Sequence, residues 1–222
     1  MHSAIPKVTR PRRLPPPATV LVRHLNPYAD GMRDPYTLPP NLPVPVDDGA
    51  AAHLRGMRMP EVTLSSTDGH AVSLARLGRG RTVIYAYPRT GRPGEPDLTP
   101  GWDLIPGARG CTPETCAFRD HYQELIQAGA KVVGLSTQKT AYQQELAERL
   151  RLPFPILSDS DLELTRALRL PTFDIAGQTL LRRLTFIVND ARIEHVWYPV
   201  FPPDRHAEDV VAWLRRAGKN SG

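Results

Sequence analysis

Two cysteines stand five positions apart in Gly110-Cys111-Thr112-Pro113-Glu114-Thr115-Cys116, and they are the only cysteines of the 222-residue chain. A cysteine reacts as the thiolate, so its surroundings decide its chemistry. Thr112-Pro113-Glu114 reads as a helix start, with proline in the first turn and an acid beside the dipole. Both thiols therefore fall where a loop becomes a helix, near free N–H groups and a positive dipole end. Arg109 and Arg119 add cationic charge close by in sequence. Each of these favours the thiolate. A thiol of pKa about 8.5 is about 3% thiolate at pH 7, whereas one near 6 is about 90%, a gain of roughly 30-fold. Any larger acceleration requires donors that meet charge developing in the transition state.

On an intact helix, residues i and i+5 lie about 8–9 Å apart on faces about 140° apart. A disulfide needs Cα atoms within about 7 Å. A Cys111–Cys116 disulfide would thus require the first helical turn to unwind, which makes a redox cycle here a conformational cycle. Two bland alternatives stand beside this. The cysteines could be inert core residues. Cys111, Cys116 and His121 could suggest a metal site, but C-x4-C-x4-H on one helix lacks a fourth ligand and points its members apart. No metal and no cofactor are expected.

The elements that must position the pair can be read from apolar period and turn residues. Val62–Leu64 and Ala71–Leu74 flank Asp68-Gly69 as a small hairpin. Arg81–Tyr87 is β-rich and nearly all apolar, as in a central strand, and Pro88 ends it. Residues 89–110 form a long Gly/Pro-rich loop, a kind usually functional in a compact domain. Phe118, Tyr122, Leu125 and Ile126 make one apolar stripe on the helix that follows, with Gly129 as its stop. Lys131–Ser136 reads as a second buried strand, and Thr140–Leu150 as a helix with Tyr142, Leu146 and Leu150 on one face. Phe154–Leu157 reads as a short strand and Asp161–Leu168 as a short helix. Arg183–Val188 and Ile193–Trp197 form a hairpin around Asn189-Asp190, and Asp204 can cap a last helix. Parallel strands with helical crossovers followed by antiparallel strands give an α/β fold: a central mixed β-sheet flanked by helices.

The chain carries 28 Lys+Arg against 23 Asp+Glu, a net +5, and 24 prolines. All of the excess charge lies in residues 1–29, which hold five bases and no acid; residues 30–222 are neutral overall. Eleven of the prolines precede residue 47. Residues 1–50 are therefore expected to be a Pro-rich basic arm, extended or disordered, ahead of a domain at 51–222. An Arg-rich, acid-poor start resembles an organellar transit peptide, but six prolines in 29 residues oppose the amphipathic helix such a peptide needs. The neutral domain gives no reason to expect nucleic acid. No apolar run is long enough to span a bilayer, and two cysteines cannot staple a disulfide-rich scaffold.

Tyr87-Pro88, the Gly110–Cys116 string and Phe118-Arg119-Asp120 together resemble the peroxiredoxins, and most closely their Q-type branch, the bacterioferritin comigratory proteins. The likeness continues through Gly134-Leu135-Ser136, Leu152–Asp159, Arg183–Val188 and Ile193–Val196, covering about residues 56–217. It implies a thioredoxin-like fold and a thiol-dependent peroxidase. By resemblance, Cys111 is the peroxidatic cysteine and Cys116 the resolving one, joined in an intramolecular disulfide that a thioredoxin or similar dithiol reduces. Arg183 is similar to the family's active-site arginine, Glu114 to the acid that orients it, and Pro88 to the proline that shields the site. The backbone N–H groups of Gly110 and Cys111 are implied to stabilise the leaving oxygen. Taken singly, Arg183 could be a surface charge, Glu114 a helix-dipole partner and Pro88 a strand stop. Their joint fit to one motif favours the site.

One departure stands out. Ala108 occupies the place of the family's threonine three residues before Cys111, and 22 residues separate Pro88 from Cys111. The extra residues, about 89–107, are an insertion at the site. Thr90 is the candidate to replace the missing hydroxyl, and Trp102 and Leu104 are expected to fold over the site. The expected substrates are hydrogen peroxide and organic hydroperoxides, and the expected location is cytoplasmic, as monomer or dimer, with no membrane or nucleic-acid partner. The competing functions on this fold are a thiol–disulfide oxidoreductase, which usually carries C-x-x-C, and a non-enzymatic redox sensor.

Overall fold

The computed structural model describes residues 34–219. Strands β1 (Thr63–Ser66) and β2 (Ala71–Ser73) form the first hairpin, and β3 (Arg81–Ala86) leads to the long loop. Helices α1 (Cys111–Asp120) and α2 (Tyr122–Gln127) follow, then β4 (Ala130–Ser136), α3 (Thr140–Leu150), β5 (Ile156–Ser158) and α4 (Glu163–Leu168). A second hairpin, β6 (Thr172–Ile175) and β7 (Gln178–Leu181), precedes β8 (Leu184–Asn189), β9 (Arg192–Trp197) and α5 (His206–Lys219). The main sheet has seven strands in the order β2-β1-β5-β4-β3-β8-β9. Strands β3, β4 and β5 are parallel, whereas β1 and β8 pair antiparallel to this centre, so the sheet is mixed.

The two-residue period of β3 builds both layers of the core. Val83, Tyr85 and Tyr87 face a cluster with Phe118 of α1, Leu125 of α2, Leu146 and Leu150 of α3, and Val210, Val211 and Leu214 of α5. Ile84 and Ala86 face the opposite cluster, with Leu164 and Leu168 of α4 and with Leu54 and Met59. Each fully buried aliphatic side chain stabilises the fold by about 1.5–3 kcal/mol. Tyr85 stacks on Phe118 at 4.3 Å between ring centroids, which seats α1 on the sheet centre.

The fold departs from the sequence expectation in three places. The helix expected to run on from Cys111 breaks at His121, where the backbone leaves helical geometry, and Ile126 is exposed rather than part of the stripe. The hairpin β6–β7, in a stretch without clean alternation, pairs outside the main sheet. It packs against the loop after β3, where Trp102, Ala108 and Leu180 form a small core joined by Phe173.

The expectation for residues 1–33 lies outside the described residues. Residues 34–50 carry neither helix nor strand, yet they touch the domain. The Asp34 carbonyl accepts from Arg109 at 3.0 Å, the Tyr36 hydroxyl accepts from Arg149 at 2.5 Å, and Tyr198 donates to Asp48 at 2.9 Å.

Candidate active site

The parallel strands β3 and β4 end side by side, and the chain beyond those ends builds the site. After β3, Pro88 is buried and the loop runs out to Gly110, whose φ of +104° turns it into α1. Only glycine fits at 110. A Cβ there would lie 2.4 Å from Pro203 Cγ and 2.9 Å from Leu38 Cδ2, on top of the left-handed backbone. Helix α1 is wound from its first residue, with the Glu114 N–H donating to the Gly110 carbonyl at 2.9 Å.

Cys111 sits in the first turn with only 3% of its surface exposed. Arg183 reaches it from the link between β7 and β8. Its Nη2 donates to Cys111 Sγ at 3.1 Å and to the carbonyls of Gly107, Ala108 and Arg109 at 3.1–3.3 Å. Its Nη1 donates to Glu114 Oε2, one turn along the helix. Adjacent residues of an extended link point opposite ways. Arg182 accordingly turns to the Thr172 carbonyl and the Phe173 ring. Arg183 and Glu114 are 2% and 0% exposed, so one buried guanidinium serves both the sulfur and the carboxylate.

The electrostatics differ from the sequence expectation. Burial pushes the Cys111 thiol up; the Arg183 guanidinium pulls it down, Glu114 pushes it up, and the Arg89 backbone N–H favours the thiolate. Arg183 is the leading cation at this sulfur, and Arg109 and Arg119 are paired elsewhere. Arg109 pairs with Asp97 at 3.1 Å and Asp103 at 3.6 Å. Arg119 pairs with Asp120 and acts on Cys116, whose half-buried thiol is pushed up by desolvation and pulled down by that guanidinium. Both cysteines are free thiols on an unbroken helix.

A polar cleft opens beside Cys111, walled by Arg89, Thr90, Arg92, Asp97, Trp102 and Tyr142 among others. Trp102 therefore borders the site as expected. Leu104 does not: it is 73% exposed and faces away. Thr90 is buried beside Cys111, but its hydroxyl donates to Gln138 Oε1 at 3.1 Å. Tyr142 leaves the apolar face of α3 and lies under the guanidinium groups of Arg89 and Arg92, at 5.1 and 4.2 Å from its centroid. Cys111, Arg183, Glu114, Gly110 and Thr90 are thus brought to one place, while Pro88 is buried just beyond β3 with its carbonyl on Ser136. Gln138 and Arg89 were missed. The available signal was position, since Gln138 follows the carboxyl end of a parallel strand, where α/β sheets place their sites. Among the described residues no group of three His, Cys, Asp or Glu side chains could hold a metal ion, and no helix is long and apolar enough to cross a membrane.

A buried thiol at a helix N-terminus, held by an arginine that leads into an interior strand of a thioredoxin-like sheet, defines a cysteine-dependent oxidoreductase. The Redoxin family model matches residues 54–212. Among curated proteins, peroxiredoxin Q, chloroplastic, of Gentiana triflora is 30% identical over 193 residues, covering 84% of this chain and 81% of the relative. The putative peroxiredoxin Q, chloroplastic, of Oryza sativa subsp. indica is 32% identical over 162 residues, covering 72% of this chain and 66% of the relative, so the chain spans about two thirds of that protein's length. Among solved structures, peroxidoxin BcpB from Mycobacterium tuberculosis superposes with a TM-score of 0.58 at 27% identity, covering 73% of this chain and 96% of that one. Peroxiredoxin Q from Xanthomonas campestris gives 0.57 at 25% identity, covering 71% and 92%. The chain belongs to the redoxin family, in its peroxiredoxin Q group.

Proposed function

We propose that this chain reduces hydrogen peroxide and organic hydroperoxides with Cys111 as the attacking thiol. The Cys111 thiolate attacks one peroxide oxygen, the O–O bond breaks, and the departing oxygen leaves as water or an alcohol after taking a proton. Cysteine sulfenic acid remains on Cys111. The Cys116 thiol then condenses with it, releasing water and forming a disulfide, which a thioredoxin-type dithiol reduces by exchange. Arg183 holds the thiolate and the peroxide, Glu114 orients Arg183, Pro88 shields the sulfur, and the N–H groups of Gly110 and Cys111 meet the leaving oxygen. Such recycling suits the cytoplasm, where dithiols are kept reduced.

The observation that carries this proposal is the 3.1 Å contact between Arg183 Nη2 and a nearly inaccessible Cys111 sulfur. A small peroxide can enter such a cleft, whereas a protein disulfide cannot reach the sulfur without unfolding α1. The peroxidase therefore fits better than a thiol–disulfide exchanger. Cys111→Ser is expected to abolish peroxide consumption with thioredoxin present. Normal turnover by that variant would refute the proposal.

A further inference from the structure

Ala108, three residues before Cys111, offers no side-chain donor to the sulfur. The Thr90 hydroxyl is directed elsewhere, to Gln138 Oε1. The same oxygen accepts the Thr90 backbone N–H at 2.9 Å, and Gln138 Nε2 donates back to the Thr90 carbonyl at 3.1 Å. One side chain thus clamps residue 90 from both sides. Gln138 is itself fixed. Its N–H donates to Ser136 Oγ at 3.2 Å, and its carbonyl accepts from Gln143 Nε2 and Ser158 Oγ, each at 2.8 Å. Ser136 Oγ in turn donates to the Pro88 carbonyl at 3.2 Å. Thr90, Ser136, Gln138, Gln143 and Ser158 are all buried.

Residues 88 and 90 are therefore both pinned to the loop beyond β4, and residue 89 is suspended between them. Arg89, Thr90 and Cys111 line one cleft, and the Arg89 backbone N–H favours the Cys111 thiolate. We infer that Gln138 is a positioning residue for peroxide reduction: by clamping Thr90 it holds the segment 88–90 in place as the wall of the cleft beside Cys111. A backbone donor needs no side-chain ordering, and a buried clamp that bonds residue 90 through both its N–H and its carbonyl restricts its geometry. The inference rests on Cys111 as the attacking thiol. It assigns the Thr90 hydroxyl an anchoring role and no contact with peroxide.

The test compares Gln138→Leu with Thr137→Val in the full chain. Thiolate formation at Cys111 is followed by pH-dependent alkylation, and kcat/KM is measured with hydrogen peroxide. Gln138→Leu is expected to raise the Cys111 titration by about one pH unit and to lower kcat/KM by about tenfold or more. Thr137→Val removes a neighbouring hydroxyl that donates to the Thr179 carbonyl, leaves the Gln138–Thr90 clamp untouched, and is expected to stay within about twofold. Gln143→Leu, which weakens the support without touching Thr90, is expected to lower thermal stability with a smaller titration shift. If Gln138→Leu does not fold, Gln138→Ala provides the same readout. A wild-type titration in the Gln138 variants, or a loss in Thr137→Val as large as theirs, would overturn the inference. Activity retained by Cys111→Ser would instead overturn the proposed function beneath it.

Discussion

Arg183 divides one guanidinium between Cys111 and Glu114, with Nη2 3.1 Å from the sulfur and Nη1 on the carboxylate. Because all three side chains are buried, the arginine is the principal charge opposing the desolvation of the thiolate. Arg183→Gln is expected to lower kcat/KM for peroxide by about 10²–10³. It should also shift the Cys111 titration further upward and cost about 3–5 kcal/mol of stability, because Glu114 loses its partner. Arg183→Lys should rescue little, since a point charge cannot bond both groups at once. Stopped-flow peroxide kinetics and denaturant unfolding on the same samples measure both effects. A kcat/KM within threefold of wild type in Arg183→Gln would remove Arg183 from the site's chemistry.

Gly110 is where the loop, the helix and the segment before the domain meet. Gly110→Ala places a Cβ 2.4 Å from Pro203 Cγ in a left-handed backbone. The conformational cost of about 1–2 kcal/mol adds to an overpacking cost of about 1–3 kcal/mol. The variant should therefore unfold at clearly lower denaturant, and its displaced α1 N-terminus should lower peroxidase activity. Unchanged stability would mean that Pro203 and Leu38 yield freely.

His206 gives a pH signature. Burial, aided by the Arg183 charge, lowers its pKa from 6.5 to about 3. Below pH 6.5 the unfolded chain takes up a proton there that the folded chain refuses. The contribution of His206 is therefore present above pH 6.5 and lost as pH falls toward 3, by up to about 1.4 kcal/mol per pH unit. Glu114 has the opposite sign. Burial pushes its carboxyl up to about 7 from 4.5, so its contribution is present below pH 4.5 and lost as pH rises through 7. Comparing wild type with His206→Gln isolates the histidine: the wild type should lose more stability between pH 6.5 and 4, read from urea midpoints. Equal losses would place His206 in contact with water.

Much of the site was legible because its chemistry is local in sequence. The Gly110–Cys116 string carries its own helix start, and the apolar runs of β3, β4 and β8 mark the centre of the sheet. What stayed hidden depends on contacts made after folding. The break at His121 interrupts a stripe that is continuous in sequence, so apolar period alone does not show it. The β6–β7 hairpin pairs only with itself and relies on Trp102 and Phe173, which are far apart in the chain. The upward push on Cys111 could not be read from helix position and nearby arginines, because it arises from burial of the folded site. Arg109 and Arg119 illustrate the same limit: close in sequence, they are spent on Asp97, Asp103 and Asp120. Gln138 gave no motif because its role lies in whom it clamps.

Resolution of the sulfenic acid is the step that the resting geometry opposes. Cys111 and Cys116 are free thiols on an intact helix, and a disulfide between them requires the first turns of α1 to unwind. Cys116→Ser is expected to complete one turnover and then hold sulfenic acid on Cys111, visible as a dimedone adduct. Continued turnover with thioredoxin would assign resolution elsewhere.

The central claim is most directly tested by mass spectrometry of the peptide containing residues 111–116, after one equivalent of hydrogen peroxide and again after thioredoxin. The account predicts loss of two hydrogens from that peptide, with no added oxygen, and their rapid return on reduction. A peptide that keeps both thiols while peroxide is consumed, or that keeps an added oxygen which thioredoxin does not remove, would contradict it.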